Sequence, residues 1–247
     1  MPKQPRIIEK GKIYHVFNRG VEKRKIFMND QDYSRFIIGL EFFNQKNPID
    51  LWGFLTKNLK GKNVQKLLAE KLKEERAKKS KPIVEILVFC LMPNHFHLVI
   101  REIVEGGLSW FMNKMGGYSS YFNKQNKRVG PLFQSRFKCV LINNDQQLQA
   151  IFNYVHTNAV ELIEHGWKEF RVKDYKKAID FLNNYKWSSY RDYIEEPTNS
   201  LVTNRDFFNN LLDGSNGCRD AVEEWIKFKA QDIIGAGDEE LESIFLN

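Results

Sequence analysis

Two histidines one residue apart, His95 and His97 in LMPNHFHLVI, and a tyrosine four residues before an asparagine, Tyr154 and Asn158 in NYVHTNAV, are the residues here whose types and spacing bear on chemistry. Side chains along a strand alternate faces, so on a strand His95 and His97 point the same way and Phe96 the other. Their Cα atoms then lie about 7 Å apart, close enough for two imidazole nitrogens to converge on one ion. An H-x-H pair also occurs as hydrogen-bonded histidines with no ion, so the pair alone does not make a metal site. Two neutral imidazoles rarely complete a coordination shell. A third protein ligand is needed, with positions left open for substrate and water.

No adjacent acidic or cysteine side chain supplies that ligand, whereas the amide oxygen of Asn158 is able to. On a helix Tyr154 and Asn158 share a face one turn apart, which would hang the phenol beside the ion. By itself the Tyr-x3-Asn spacing carries almost no information, and an ordinary half-buried helix aromatic fits Tyr154 as well. A phenol with a pKa near 10 is almost wholly protonated at neutral pH, so a nucleophilic tyrosine needs a nearby cation or a base relayed through water. A hard divalent ion, Mg²⁺ or Mn²⁺, suits a phosphate-bearing substrate, and the histidines tilt the choice towards Mn²⁺. Zn²⁺ is able to occupy such a site in vitro.

The elements that must position these groups follow from pattern. GKIYHVFNRG, Gly11 to Gly20, reads as a strand. Asp30 is the expected cap of a helix in which Tyr33, Phe36, Ile37, Leu40 and Phe43 recur at helical spacing. Residues 83–91 and HFHLVIRE read as two strands joined by Met92-Pro93-Asn94, the pattern of a hairpin. Gly106-Gly107 precedes a long helix interrupted at Gly116-Gly117, Arg136 to Ile142 is a further strand, and Asp145 is the expected cap of the helix carrying Tyr154. Strand, helix, strand, strand, helix, strand is the order of an α+β, ferredoxin-like fold: an antiparallel sheet with helices packed on one face. A mostly helical C-terminal extension follows.

The chain has 247 residues, 42% of them hydrophobic, enough for one or two domains. Its formal net charge of +7 favours a polyanionic partner without naming one. Lysines crowd the stretch at about 57–82, which reads as a solvated, partly helical insertion or as a nucleic-acid contact. Three scattered thiols, Cys90, Cys139 and Cys218, without CxxC spacing argue against a disulfide framework and a zinc ribbon. The polar start MPKQPRIIEKGK and the lack of a run of about 20 apolar residues point to a soluble, cytoplasmic protein with no membrane contact.

LMPNHFHLVI, followed by GPLFQSRFK and IFNYVHTNAVEL, with YHVFNRG before and WSSYRDY after, resembles the single-tyrosine HUH transposases of bacterial insertion sequences, in particular the REP-associated tyrosine transposases. The likeness runs from about Lys12 to Tyr193. It implies a nuclease core, at residues 1–194, that binds single-stranded DNA folded into a hairpin, with residues 195–247 as an extension of unknown role. Carried over by motif, His95 and His97 are metal ligands, Asn158 completes the site, and Tyr154 is the nucleophile that forms a 5′-phosphotyrosine link. The family's Asn-Pro after the tyrosine is Asn158-Ala159 here. A transposase is the leading expectation. The alternatives are a domesticated hairpin-binding protein without turnover and a nickase of the replication-initiator or relaxase type. A monomer is favoured over a pair.

Tyr118 and Tyr121 are rival nucleophiles, and Tyr121 satisfies the same bare spacing with Gln125. His15 is expected to pack, His156 to project from another helix face than Tyr154, and His165 to lie at the surface. Asn18, Arg19, Arg136 and Lys138 are candidates for phosphate contacts, with Arg136 and Lys138 on one side of a strand. Gln134 and Phe133 are candidates for contacts with bases. Tyr185, Trp187, Tyr190 and Tyr193 are read as packing rather than as a stacking platform.

Overall fold

The four strands expected from the sequence all form. In this computed structural model they are β1 (Ile13–Arg19), β2 (Val84–Met92), β3 (His95–Glu102) and β4 (Lys138–Ile142). The structure describes residues 8–47, 81–167, 172–195 and 202–230, with a few single positions between 50 and 78. Most of the lysine-rich stretch, and positions 196–201 and 231–247 of the extension, lie outside the described residues. The strands form one sheet in the order β2-β3-β1-β4, each neighbouring pair antiparallel. With helix α1 (Asp30–Phe42) between β1 and β2, and α2 (Gly107–Met115) and α3 (Tyr118–Gln125) between β3 and β4, this is the ferredoxin-like α+β order.

The alternation sorts the two faces. Tyr14 and Val16 of β1 and Phe96, Leu98 and Ile100 of β3 share a core with Phe36 and Leu40 of α1, Phe111 and Met115 of α2, and Tyr118 and Phe122 of α3. The crossover helices thus cover one face, as expected. The opposite face takes α4 (Asp145–Thr157), α5 (Tyr175–Asn184), α6 (Tyr190–Ile194), α7 (Asp206–Leu211) and α8 (Gly214–Ala230). There Cys90, Met92 and Val99 pack with Ile151, Phe152 and Val155 of α4, and with Phe208, Cys218, Val222 and Ile226 from the extension. The helix carrying Tyr154 is therefore held between the sheet and the C-terminal helices.

The free edge of β2 is capped by non-strand segments. Leu91 N donates to Trp187 O (2.8 Å), Ser189 N to Phe89 O (2.9 Å) and Asn204 N to Ile86 O (2.9 Å). These bonds use backbone groups that would otherwise template a foreign strand. Trp187 stacks on Tyr33 (4.6 Å between centroids, 12°), while Tyr185, Tyr190 and Tyr193 are buried, in line with a packing role.

Three boundaries differ from the sequence expectation. The caps of α1 and α4 are Asn29 and Asn144, one residue before Asp30 and Asp145. In both cases the asparagine holds the extended backbone of a cap and its side chain accepts from the first turn, leaving the aspartate inside that turn, where the helix dipole favours it. β4 starts at Lys138 rather than Arg136. Residues 134–136 form bends instead, so strand alternation does not place Arg136 beside Lys138. The Asn144 side chain accepts from Gln147 N at 2.8 Å, and Gln147 Oε1 accepts from Asn143 N at 2.8 Å. Asn144→Ala is expected to cost about 1 kcal/mol of stability, read as a lower midpoint in urea at unchanged slope.

Candidate active site

The register Arg19↔His95 and Phe17↔His97, with His15 opposite Val99, puts Arg19, Phe17 and His15 of β1 on the same face as the two histidines of β3. That face looks onto α4. His95 is 3% exposed, and His97 and His15 are fully buried. His15 Nε2 and His97 Nδ1 are 2.8 Å apart, with ring centroids at 5.1 Å and planes 19° apart, so the two rings meet edge to edge and nearly coplanar. Phe17 stacks on both.

α4 delivers the other two groups. It tightens into a 3-10 turn at Asn158–Leu162, and Thr157 Oγ1 bonds back to Asn153 O at 2.7 Å. Asn158 keeps helical backbone angles, so the one-turn spacing from Tyr154 survives the change. Asn158 Oδ1 lies 3.0 Å from His95 Nε2 and is buried with it. The half-buried Tyr154 ring meets His97 edge-on at 5.4 Å and His15 at 6.0 Å. His95, His97, Tyr154 and Asn158, 63 residues apart in sequence at their extremes, are brought to one place.

Two participants were not read from the sequence. His15, expected merely to pack, is hydrogen-bonded to His97. Asn94, read only as a turn residue, places its Oδ1 2.6 Å from His95 Nδ1. Strand alternation alone puts His15 in line with Phe17 and Arg19. Its meeting with His97 depends on the β1–β3 register, which no local signal encodes.

The candidates for phosphate and base contacts divide. Arg19 lies on the site face beside His95, half-buried, and its Nε is enclosed with no hydrogen-bond partner among the described residues. Lys138 is exposed on the same face, with Nζ 5.4 Å from the Phe17 ring centroid. Gln134 and Arg136 are exposed in the loop before β4, and Gln134 N donates to Arg19 O at 2.9 Å. Phe133 packs edge-on against Phe96 at 5.9 Å. Asn18 faces the crossover helices, its Nδ2 donating to Ser135 O and its Oδ1 accepting from Arg19 N. It braces the loop and is not brought to the histidines.

The rival tyrosines belong to the other face of the sheet. Tyr121 Oη donates to Asp32 Oδ1 at 3.0 Å and its ring carries the Arg35 guanidinium at 3.8 Å. Burial, with the Asp32 charge adding to it, pushes its pKa up to about 12. Tyr118 Oη donates to Ile26 O at 2.6 Å, and burial drives its pKa well upward. His156 points away from Tyr154 and contacts Ser189 Oγ at 2.8 Å, and His165 is exposed. Among the described residues, no group of three or more His, Cys, Asp or Glu side chains is arranged to hold a metal. The pair of histidines with an amide is a donor set of another kind. No described helix is long and apolar enough to cross a membrane.

Comparison with known proteins gives three findings. The family model for IS200-like transposases matches residues 55–158, a stretch that includes both histidines, Tyr154 and Asn158. No curated protein matches the chain. The solved structure of a REP-associated tyrosine transposase bound to a REP hairpin is similar over 78% of this chain and 86% of its own, at 14% identity and a TM-score of 0.44. By the first of these, the resemblance seen in the motifs is borne out: residues 55–158 carry the sequence pattern of the IS200-like transposase family.

Proposed function

We propose that this protein is a transposase that cuts and rejoins single-stranded hairpin DNA through a covalent link to Tyr154. The observation that carries the reading is the convergence of a phenol, two imidazoles and an amide oxygen on one face of the sheet. In the first step Tyr154 Oη attacks the scissile phosphorus. The Oη–P bond forms as the bond from phosphorus to the 3′-oxygen breaks, and that oxygen leaves as a 3′-hydroxyl once it gains a proton. In the second, a DNA 3′-hydroxyl attacks the phosphotyrosine, the phosphodiester reforms, and Tyr154 recovers its proton. Nothing is hydrolysed, so bond energy is conserved without a nucleotide cofactor.

The donor set fits Mg²⁺ or Mn²⁺. His95 Nε2 and Asn158 Oδ1, 3.0 Å apart, are close enough that both would ligate one ion. An amide oxygen is a hard ligand, and imidazole shifts the preference towards Mn²⁺. His95, His97 and Asn158 would hold the ion. Bound there, it would polarise the scissile phosphate and favour the phenolate. Arg19 and Lys138 supply positive charge on the same face for flanking phosphates, with Arg136 and Gln134 at the loop in front of them. Asn18 contributes by holding that loop. Residues 1–194 form the nuclease unit, and 195–247 an extension whose helices at 206–230 brace α4 from behind. The protein works in the cytoplasm, on its own rather than as a pair.

Incubation with labelled single-stranded hairpin DNA and Mn²⁺, followed by denaturation, is expected to leave a covalent protein–DNA adduct. Chelation abolishes it, and His95→Ala reduces it by roughly 100-fold or more. Binding of the hairpin with no adduct under any divalent ion would replace this reading by a binding-only protein. Nicking without joining of two cleaved ends would replace it by a nickase.

A further inference from the structure

We infer that Asn94 and His15 are positioning residues that set the tautomers of His95 and His97, so that each presents a bare Nε2 to the cation. The inference rests on the reading of those histidines as ligands, and deepens it. A neutral imidazole carries one N–H and one lone pair, and the partner of one nitrogen decides which role the other plays.

For His95 the partner is fixed by a chain of bonds. The Lys23 carbonyl only accepts, so the Asn94 atom 3.2 Å from it is the amide nitrogen. Asn94 must then turn its oxygen to His95 Nδ1, at 2.6 Å. An amide oxygen also only accepts, so Nδ1 bears the proton and the Nε2 lone pair faces Asn158. The result is two lone pairs, His95 Nε2 and Asn158 Oδ1, converging at 3.0 Å, an arrangement that a cation resolves. Without Asn94 the proton gains more by moving to Nε2, where the same Asn158 oxygen accepts it.

The Lys23 carbonyl is itself held. The loop at 20–26 wraps the Pro93-Asn94 turn through Gly20 N to Asn94 O (2.8 Å) and Ile26 N to Pro93 O (2.7 Å). Gly20 permits that wrap, since a Cβ there would meet Arg24 O at 2.3 Å.

His15 takes the place beside His97 Nδ1 that Asn94 takes beside His95 Nδ1, with an imidazole nitrogen that can accept or donate. Its ring is fixed by stacking on Phe17 (4.7 Å), with Nε2 aimed in-plane at His97 Nδ1. Of the two directions open to that bond, His97 donating from Nδ1 leaves its Nε2 bare. His15 then carries its own proton on Nδ1.

Imidazole nitrogen shifts of the metal-free, full-length protein test this directly. At about pH 8 both His95 and His97 are expected to show a protonated, pyrrole-type Nδ1 and a pyridine-type Nε2. Asn94→Leu inverts the His95 pattern alone. His15→Phe, which keeps the ring stacked on Phe17, alters the His97 pattern alone. Each variant weakens Mn²⁺ binding by about 10- to 100-fold in calorimetry, and Asn94→Asp, which keeps the acceptor, restores it. A proton on Nε2 of either histidine in the unsubstituted protein overturns the inference, whatever the variants do. So does Asn94→Leu with unchanged shifts and unchanged affinity. The predicted tautomers in a protein that binds no Mn²⁺ would instead overturn the metal reading and leave the hydrogen-bond network standing.

Discussion

Tyr154→Phe is expected to eliminate the covalent protein–DNA adduct and to lower strand cleavage by at least roughly 10⁴-fold, on the scale of losing a nucleophile in other covalent enzymes. The substitution removes one oxygen. The ring that stands edge-on to His97 at 5.4 Å and to His15 at 6.0 Å is retained, as is the helix that carries it. Stability should change by no more than about 1 kcal/mol, the net worth of a hydrogen bond. Any residual cleavage would come from water and would leave no protein-bound DNA. Tyr121→Phe is the matched control, because it also deletes a phenol four residues before a polar side chain. Its hydroxyl, bonded to Asp32 beneath the opposite face of the sheet, has no route to the histidines. That variant should form the adduct normally. An adduct that survives Tyr154→Phe and disappears in Tyr121→Phe would reverse the assignment.

The control also shows why the candidate site was legible in the sequence. Tyr121 and Tyr154 have the same local spacing, and only the order of elements separates them: one helix precedes β4 and packs with the crossover helices, the other follows it and covers the remaining face. The HFH alternation and the strand–helix order are short-range signals, and both survive in the structure. Register is not short-range. His15 and His97 are 82 residues apart, and which residue of β3 faces His15 is settled by the whole β1–β3 pairing. Asn94 looked like a turn former because its partner, the Lys23 carbonyl, is 71 residues away. The cap positions were misplaced by one residue for a plainer reason: Asn and Asp are equally good caps, so Asn-Asp at 29–30 and 144–145 gives no local basis for choice.

α4 presents two surfaces, one to the sheet and one to the core behind it. Tyr154 and Asn158 look to the sheet, while Phe152 and His156 look into the core built by the extension. Phe152 touches His156 at 4.4 Å, Tyr193 at 5.1 Å and Phe208 at 4.7 Å. Ser189 links that core to the sheet edge, accepting from Phe89 N at 2.9 Å while its Oγ meets His156 Nε2 at 2.8 Å. The position of Tyr154 is thus tied to a buried histidine that faces away from the candidate site.

That histidine makes the fold acid-sensitive. His156 is fully buried among Phe152, Tyr190 and Tyr193, and its Nδ1 has no hydrogen-bond partner among the described residues. A second proton would place a charge, and an unsatisfied donor, against aromatic carbon. Burial accordingly lowers its pKa from 6.5 to about 3. Because the folded pKa lies below the unfolded one, the unfolded chain binds the extra proton first as pH falls, and stability drops through the window from about 6.5 to about 3. Above that window His156 is neutral in both states and costs nothing. At pH 5 the loss through this one group is about 2 kcal/mol, rising to about 5 kcal/mol when both states are protonated. Urea unfolding at pH 7.5 and pH 5 measures it, with His156→Gln as the comparison, since glutamine keeps a polar group for Ser189 but does not titrate. The variant starts less stable at pH 7.5 and should lose about 2 kcal/mol less on acidification than the unsubstituted protein. Equal losses in the two proteins would mean that His156 is not held neutral, and that the core behind the tyrosine helix admits water.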